Sequence, residues 1–350
     1  MIKDKDIIVI GIQAWDIEIG SNCKNIATEF AKNNRVIYVN NPLSILDFFK
    51  TKKSERIEKR KRIVFGKENG LRQVSNNLWE FNPKTVFAPT NRIKQNYLFD
   101  RLTRYNAKKM SNEILRALNV LGCKDYILFN DSSMFLGNKI RTLLNPSSFI
   151  YYIRDNLVNS PFSFWNLHGK RYESQLIKNA DVVVTNSLYY TEYARNFNPN
   201  SHMVGQGCDV SLFDFKLREI IPAEELTPIK KPIIGYVGYL ASIRLDIDLL
   251  EFLAQSRPDW SIVLVGPEDS VFTNSNLHSY DNIHFLGAKD GRKLPEYIKG
   301  FDVCINPQLL NETTKGNYPR KIDEYLAMGK PVVATKTIAM GYFKDWVFLA

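Results

Sequence analysis

The sequence has no apolar run long enough to cross a bilayer, and only four cysteines and four histidines in 350 residues. Cys23, Cys123, Cys208 and Cys304 are scattered singletons without C-x-x-C spacing, which excludes a thiolate zinc cage and a disulfide framework. His168, His202, His278 and His284 also lack ligand spacing and read as structural or exposed residues. No secretory leader is expected from the opening residues. The opening MIKDKDIIVIGIQ places charges before a short β-branched run, the pattern of a first buried strand, so the expected location is the cytoplasm.

Acidic residues are outnumbered, 37 Asp and Glu against 47 Lys and Arg, and the excess of +10 is uneven. Residues 50–67 carry nine Lys or Arg against two Glu, and residues 92–109 form a second basic cluster around Tyr97, Phe99 and Tyr105. The basic residues are mixed with Phe48, Phe49, Ile57, Ile63, Val64 and Phe65. That mixture fits an anionic membrane surface as well as it fits nucleic acid, and a solvated charged insertion is the plain alternative. Nucleic-acid binding would rest on charge alone and is not expected.

Hydrophobic residues make up 44% of a chain long enough for two cores. Short apolar runs alternate with helical patterns: IIVIGI, RVIYVN, YILFN, FIYYIR and DVVVTN, then, after an aperiodic stretch, KPIIGYVG, WSIVLVG, NIHFLG, DVCINP and PVVAT. This is the rhythm of parallel sheets covered on both faces, played twice. The expected domains are 1–215 and 232–350, joined by a linker at 216–231. Ligands of such sheets bind beyond the carboxyl ends of the strands, which points to the loops after Gly11, Asn130, Arg154, Gly238, Gly266, Gly287 and Pro307.

One stretch carries more chemistry than the rest, residues 316–335, GNYPRKIDEYLAMGKPVVAT. Pro319 suits a first helical position and Gly329 a C-terminal cap. The amides near Asn317, Tyr318 and Arg320, with Lys321, would favour a phosphate. Glu324, roughly 7 Å further along the axis, could accept hydrogen bonds from ribose hydroxyls. The plain alternative is a capped amphipathic helix with Ile322 and Leu326 on the sheet and Glu324 facing solvent.

Here the chain resembles the GT-B glycosyltransferases of family 4, with their K-x-x-E-Y-x-A-x-G-x-P-V-x-A segment: Lys321, Glu324, Tyr325, Ala327, Gly329, Pro331, Val332 and Ala334 match it. The order of GYVGYLASIRLDIDLLEFLA, RPDWSIVLVGP, NIHFLG and LPEYIKGFDVCINP is similar to the teichuronic-acid and cell-surface-polysaccharide branch. YYIRDN, ADVVVTNSLYYTEY and GQGCD extend the likeness more weakly over the first half.

The resemblance implies an α/β fold of GT-B type, two Rossmann-like doubly wound parallel-sheet domains facing a cleft. It also implies a metal-independent, retaining transfer from a nucleotide-diphosphate sugar, with no cofactor. Glu324 becomes the ribose ligand, and the turn before it receives diphosphate and sugar. Backbone groups of Ala288 and Lys289 read the base. Family members also continue with helices that return to the first domain, so the C-terminal domain is expected to be incomplete at Ala350.

Two departures change the donor contacts. The family's second acid, eight positions before Glu324, is Gly316 here, with Glu312 on the same loop as a substitute. The family's Arg/Lys pair after the first strand of this domain is also missing. Gly238 is followed by Tyr239, leaving Arg244, Lys321 and backbone amides for the diphosphate.

Asp246-Ile-Asp248 has the spacing of a D-x-D metal motif, but its place after a strand and loop suits a helix cap, and no metal is expected. In the first half, Gly20 could admit a phosphate or sugar beside the backbone, while Ser21 reads equally as a helix cap. Asp155 and Asp131 end neighbouring strands and could orient an acceptor hydroxyl, or simply cap helices. The expected function is transfer to a saccharide or lipid-linked acceptor in cell-surface glycan synthesis, at the inner face of the membrane. The alternative is a non-catalytic nucleotide-sugar-binding or scaffolding subunit.

Overall fold

The computed structural model describes residues 2–17, 21–49, 54–159, 163–217 and 219–350. They form two compact units, Met1–Val204 and Gly205–Ala350. In the first, the chain runs β1 (Asp6–Gly11), α1 (Asn22–Ala31), β2 (Arg35–Val39), β3 (Leu43–Ser44), α2 (Glu55–Val64), β4 (Leu71–Ser75), β5 (Leu78–Phe81), β6 (Val86–Phe87) and α3 (Asn96–Leu121). It continues with β7 (Tyr126–Asp131), α4 (Met134–Leu144), β8 (Ser148–Ile153), α5 (Ser163–Asn179), β9 (Val182–Thr185), α6 (Leu188–Arg195) and β10 (Ser201–Met203).

The main sheet of this unit has the order β10-β9-β8-β7-β1-β2-β5-β4, parallel except for β4. The apolar run of β1 is explained by burial on both faces. Ile7 and Val9 pack with Cys23 and Ala27 of α1, while Ile8 and Ile10 pack with Met110 and Ile114 of α3. Strand order reverses between β1 and β7, so Gly11 and Asp131, paired across that boundary, mark the unit's switch point.

The cluster at 92–109 becomes the first half of α3. Phe99, Thr103, Ala107 and Met110 recur at helical spacing on the buried side, leaving Tyr97, Arg101, Arg104, Tyr105 and Lys108 exposed. The β4–β5 hairpin was not expected. It is an edge whose outer strand is largely exposed, so its sequence carries little apolar signal.

Beneath β8, Glu173 of α5 is buried and accepts hydrogen bonds from the Tyr151 and Tyr193 hydroxyls, both at 3.2 Å. Burial pushes its carboxyl pKa up to about 7, although both hydrogen bonds pull the other way.

The second unit runs α7 (Val210–Phe213), β11 (Ile233–Val237), α8 (Ile247–Ser256), β12 (Ser261–Val265), α9 (Ser270–Thr273), β13 (Ile283–Gly287) and α10 (Leu294–Gly300). It ends with β14 (Val303–Asn306), α11 (Lys321–Ala327), β15 (Val332–Ala334) and β16 (Phe348–Leu349). Its sheet is wholly parallel in the order β13-β12-β11-β14-β15-β16 and reverses between β11 and β14.

The boundary at Val204/Gly205 differs from the expected one after residue 215, and 216–231 is not an open linker. Phe213, Ile220, Ala223 and Leu226 are buried, and Ala223 N donates to Glu296 O at 3.1 Å. A few apolar anchors therefore dock an irregular segment onto the second sheet's helices.

Candidate functional site

In the second unit, α11 is tied to the end of β11 by one buried bond: Val237 N donates to the Tyr325 hydroxyl at 2.8 Å. That bond fixes which side of α11 meets the strand end. Lys321, one turn before Tyr325, lies beside Gly238. A Cβ on Gly238 would stand 3.1 Å from Lys321 Cε and 3.5 Å from Nζ, and the ammonium lies 4.7 Å from the Tyr236 ring centroid.

Gly238 (φ 142°) is in turn overlaid by Gly266 (φ 153°), where a Cβ would fall 1.9 Å from Gly238 O. No side chain fits at 266 without moving the backbone. The carboxyl ends of β11 and β12 thus approach as two bare backbones beside one cation.

Helix α11 is seven residues long and starts later than expected. Pro319 is not its first residue, since Pro319 O accepts from Ile322 N in a tight turn ahead of it. Gly329 does close the helix at φ 65°, with Lys330 N bonded to Tyr325 O at 3.0 Å. Glu324 does not face solvent. It is 5% exposed, and both Arg320 contacts, Nε at 3.1 Å and Nη2 at 3.0 Å, fall on its Oε1.

Asp323, which the spacing had not singled out, accepts from the buried Tyr318 hydroxyl at 3.0 Å. Burial pushes its pKa up to about 6; the Tyr318 bond opposes this and neighbouring Glu324 adds to it. Tyr318 therefore has a structural partner. Cys208, beside these two acids, is held up at about 11 first by burial and then by their charges.

The other candidates of this unit are placed less closely. Arg244 is exposed on the β11–α8 loop, whose backbone joins the loop after β14 through Leu309 N to Arg244 O at 2.9 Å. On that second loop Glu312 is exposed and 2.7 Å from Lys315 Nζ, Asn317 N is bonded to Thr314 O, and Gly316 is buried. Ala288 is exposed just beyond β13. Lys289 is engaged by Glu225 at 2.7 Å, leaving its backbone as the candidate contact. Asp246 caps α8, accepting from Leu249 N at 2.9 Å, the role read for it from its position.

In the first unit, Asp131 is wholly buried at the end of β7 and accepts from Arg154 Nε at 2.9 Å, while Asp155 Oδ2 lies 3.7 Å from Arg154 Nη1. Burial lowers the Arg154 pKa, but Asp131 and Asp155 outweigh it and the net direction is upward. Asp131 thus holds Arg154, and Asp155 is the more accessible carboxylate. Arg154 was not among the expected site residues, although R-D after a strand is visible in YYIRDN. Ser21 is the N-cap of α1, accepting from Lys24 N at 3.2 Å. Gly20 lies outside the described residues.

Residues 231–345 match the family described as Glycosyl transferases group 1. That match lies wholly within the second unit. Two curated relatives agree. The glycosyltransferase TuaH of Bacillus subtilis (strain 168), whose name assigns it to teichuronic acid biosynthesis, is 27% identical over 176 residues, 47% of this chain and 43% of the relative. A GDP-mannose-dependent alpha-mannosyltransferase of Mycobacterium tuberculosis (strain CDC 1551 / Oshkosh) is 31% identical over 136 residues, 39% of this chain and 34% of the relative. The chain thus spans less than half the length of either.

Solved structures extend the likeness over 99% of the chain. Sucrose-phosphate synthase from Thermosynechococcus elongatus has a TM-score of 0.68 at 15% identity, with 85% of that chain covered. Anabaena HepE in complex with UDP has a TM-score of 0.63 at 17% identity, with 85% covered. At such identity the likeness speaks for the fold, which is GT-B, with two Rossmann-like units. The residues matched by the group 1 family include Gly238, Lys321 and Glu324.

Proposed function

We propose that the protein moves a sugar from a nucleotide-diphosphate donor to a saccharide or lipid-linked acceptor in cell-surface glycan synthesis, with retention of configuration. The observation that carries this is the placement of Lys321 beside the bare backbone of Gly238, at the switch point of the group 1 domain. The ammonium meets the diphosphate where backbone can approach closely, with Arg244 and loop amides adding to it. Glu324 accepts from ribose hydroxyls, Ala288 and Lys289 meet the base, and Glu312 and Asn317 meet the donor sugar in place of the acid missing at Gly316. Asp155, steadied by Arg154, orients the acceptor hydroxyl. Leaving-group charge is stabilised electrostatically, without a metal.

A thermal-shift screen over nucleotide sugars tests the donor site. One donor should raise Tm by several degrees at saturation, an effect of about 3 kcal/mol at a hundredfold excess over Kd. Glu324→Ala should remove most of that shift. No stabilisation by any donor, or the same shift in the variant, contradicts the assignment.

The acceptor reading rests on the exposed aromatic and basic faces of the first unit. Phe49 and Phe65 are 79% and 66% exposed next to α2, and Tyr97 is 77% exposed on α3. Among the described residues no helix is long and apolar enough to cross a membrane. Residues 50–53 of the basic segment lie outside the described residues. Sedimentation with vesicles should show binding to anionic liposomes that weakens with salt; equal binding to neutral vesicles would sink the reading. Gly316 in place of an acid favours one alternative, a nucleotide-sugar-binding partner subunit. That protein would be stabilised by a donor yet show no transfer or donor hydrolysis with any acceptor.

A further inference from the structure

A cavity lies outside the sites above, in the first unit. It is a groove of about 510 Å³ between the end of α2, the β4–β5 hairpin and the last turns of α3. Its volume is that of a small-molecule site, about 300–1,000 Å³. The floor is apolar, made by Ile63, Leu71, Phe81, Ala117 and Val120. Val120, 76% exposed, stands at the open end of the groove.

The rim is charged and its charges do not balance. Glu113 is already engaged, paired with Arg116 and accepting from Lys84 N at 3.0 Å. Glu68 is paired with Arg62 at 3.0 Å. Lys67 and Lys84 remain, both exposed, and neither makes an ion pair among the described residues.

An apolar trough with two unbalanced ammonium groups at its lip is complementary to one kind of molecule. We propose that this groove binds a single-chain anionic amphiphile, its hydrocarbon chain along Leu71, Phe81 and Val120 and its phosphate-like head at Lys67 and Lys84. The site is distinct from the donor site, and its occupancy does not depend on the transfer reaction.

The test uses dodecyl phosphate, below its critical micelle concentration, titrated calorimetrically into the full chain. The expected result is saturable one-to-one binding, stronger than that of octyl phosphate because more methylenes are buried. Lys67→Glu with Lys84→Glu should weaken it about tenfold or more, the loss of charged hydrogen bonds, and Val120→Asp should do the same. All three positions are exposed, so Tm should be unchanged in each variant. Equal binding of dodecyl maltoside would reduce the site to an apolar patch and overturn the proposal. Displacement of dodecyl phosphate by inorganic phosphate at similar concentration would reduce it to an anion site, with the same consequence. Unaltered binding in the variants would place the amphiphile elsewhere. None of these readings needs a donor sugar, so failure here leaves the transferase reading standing, and the reverse.

Discussion

Lys321→Ala is expected to lower turnover about 10²- to 10³-fold, the range found when one preorganised donor to a developing charge is removed. The ammonium lies 4.7 Å from the Tyr236 ring and makes no ion pair among the described residues, so its charge is available to a ligand. Its stem packs against Gly238, and the helix that carries it is pinned through Tyr325 to Val237. Little reorganisation is then needed when the diphosphate departs, and that is where a fixed charge contributes most. Because the charge grows as the glycosidic bond breaks, the loss should fall mainly on kcat, with a smaller effect on donor KM. Steady-state kinetics with the donor found by thermal shift checks this. A kcat within a few-fold of wild type would remove Lys321 from the reaction.

The second large effect concerns stability and pH. Glu173 has a pKa of about 7 in the folded chain against 4.5 for the unconstrained side chain. Below pH 4.5 the group is protonated in both states and costs nothing. Between pH 4.5 and 7 the unfolded chain releases the proton while the folded one retains it, so stability falls as pH rises, and the loss levels off above 7. At 1.36 kcal/mol per unit, the full penalty is roughly 3 kcal/mol.

A glutamine reproduces the protonated acid, offering one acceptor and one donor to the hydroxyls of Tyr151 and Tyr193. Glu173→Gln should therefore match wild type near pH 4.5 and exceed it by roughly 3 kcal/mol at pH 8 in urea unfolding of the first unit. A difference independent of pH would show that Glu173 does not titrate in this range.

These two residues also show what the sequence makes legible. Lys321 stands in a local pattern: a bounded helix, a fixed spacing to Glu324 and Tyr325, and a glycine and proline after it. Such patterns are written along the chain. Glu173 meets its tyrosines only because α5 packs on β8 and α6, three elements with no common spacing, and nothing local announces the triad. The ten strands read from apolar runs all form, and those buried on both faces, such as β1, β11 and β12, must be apolar along their length.

The exposed outer strand β4 and the docked segment before β11 went unread for the converse reason. One buries little, and the other is held by isolated anchors such as Phe213 and Leu226 without a period. The Arg320–Glu324 pair, four residues apart, was within reach of a spacing argument.

That pair has a bearing on discrimination. Since both guanidinium contacts converge on Oε1, the carboxylate is already oriented, and in the proposed donor site its second oxygen is the one that would meet the ribose. Two adjacent hydroxyls can share a single acceptor oxygen through its two lone pairs, whereas a lone hydroxyl uses only half of it. A preset glutamate of this kind would therefore separate ribonucleotides from their 2′-deoxy counterparts by a vicinal diol, a criterion indifferent to which base the nucleotide carries.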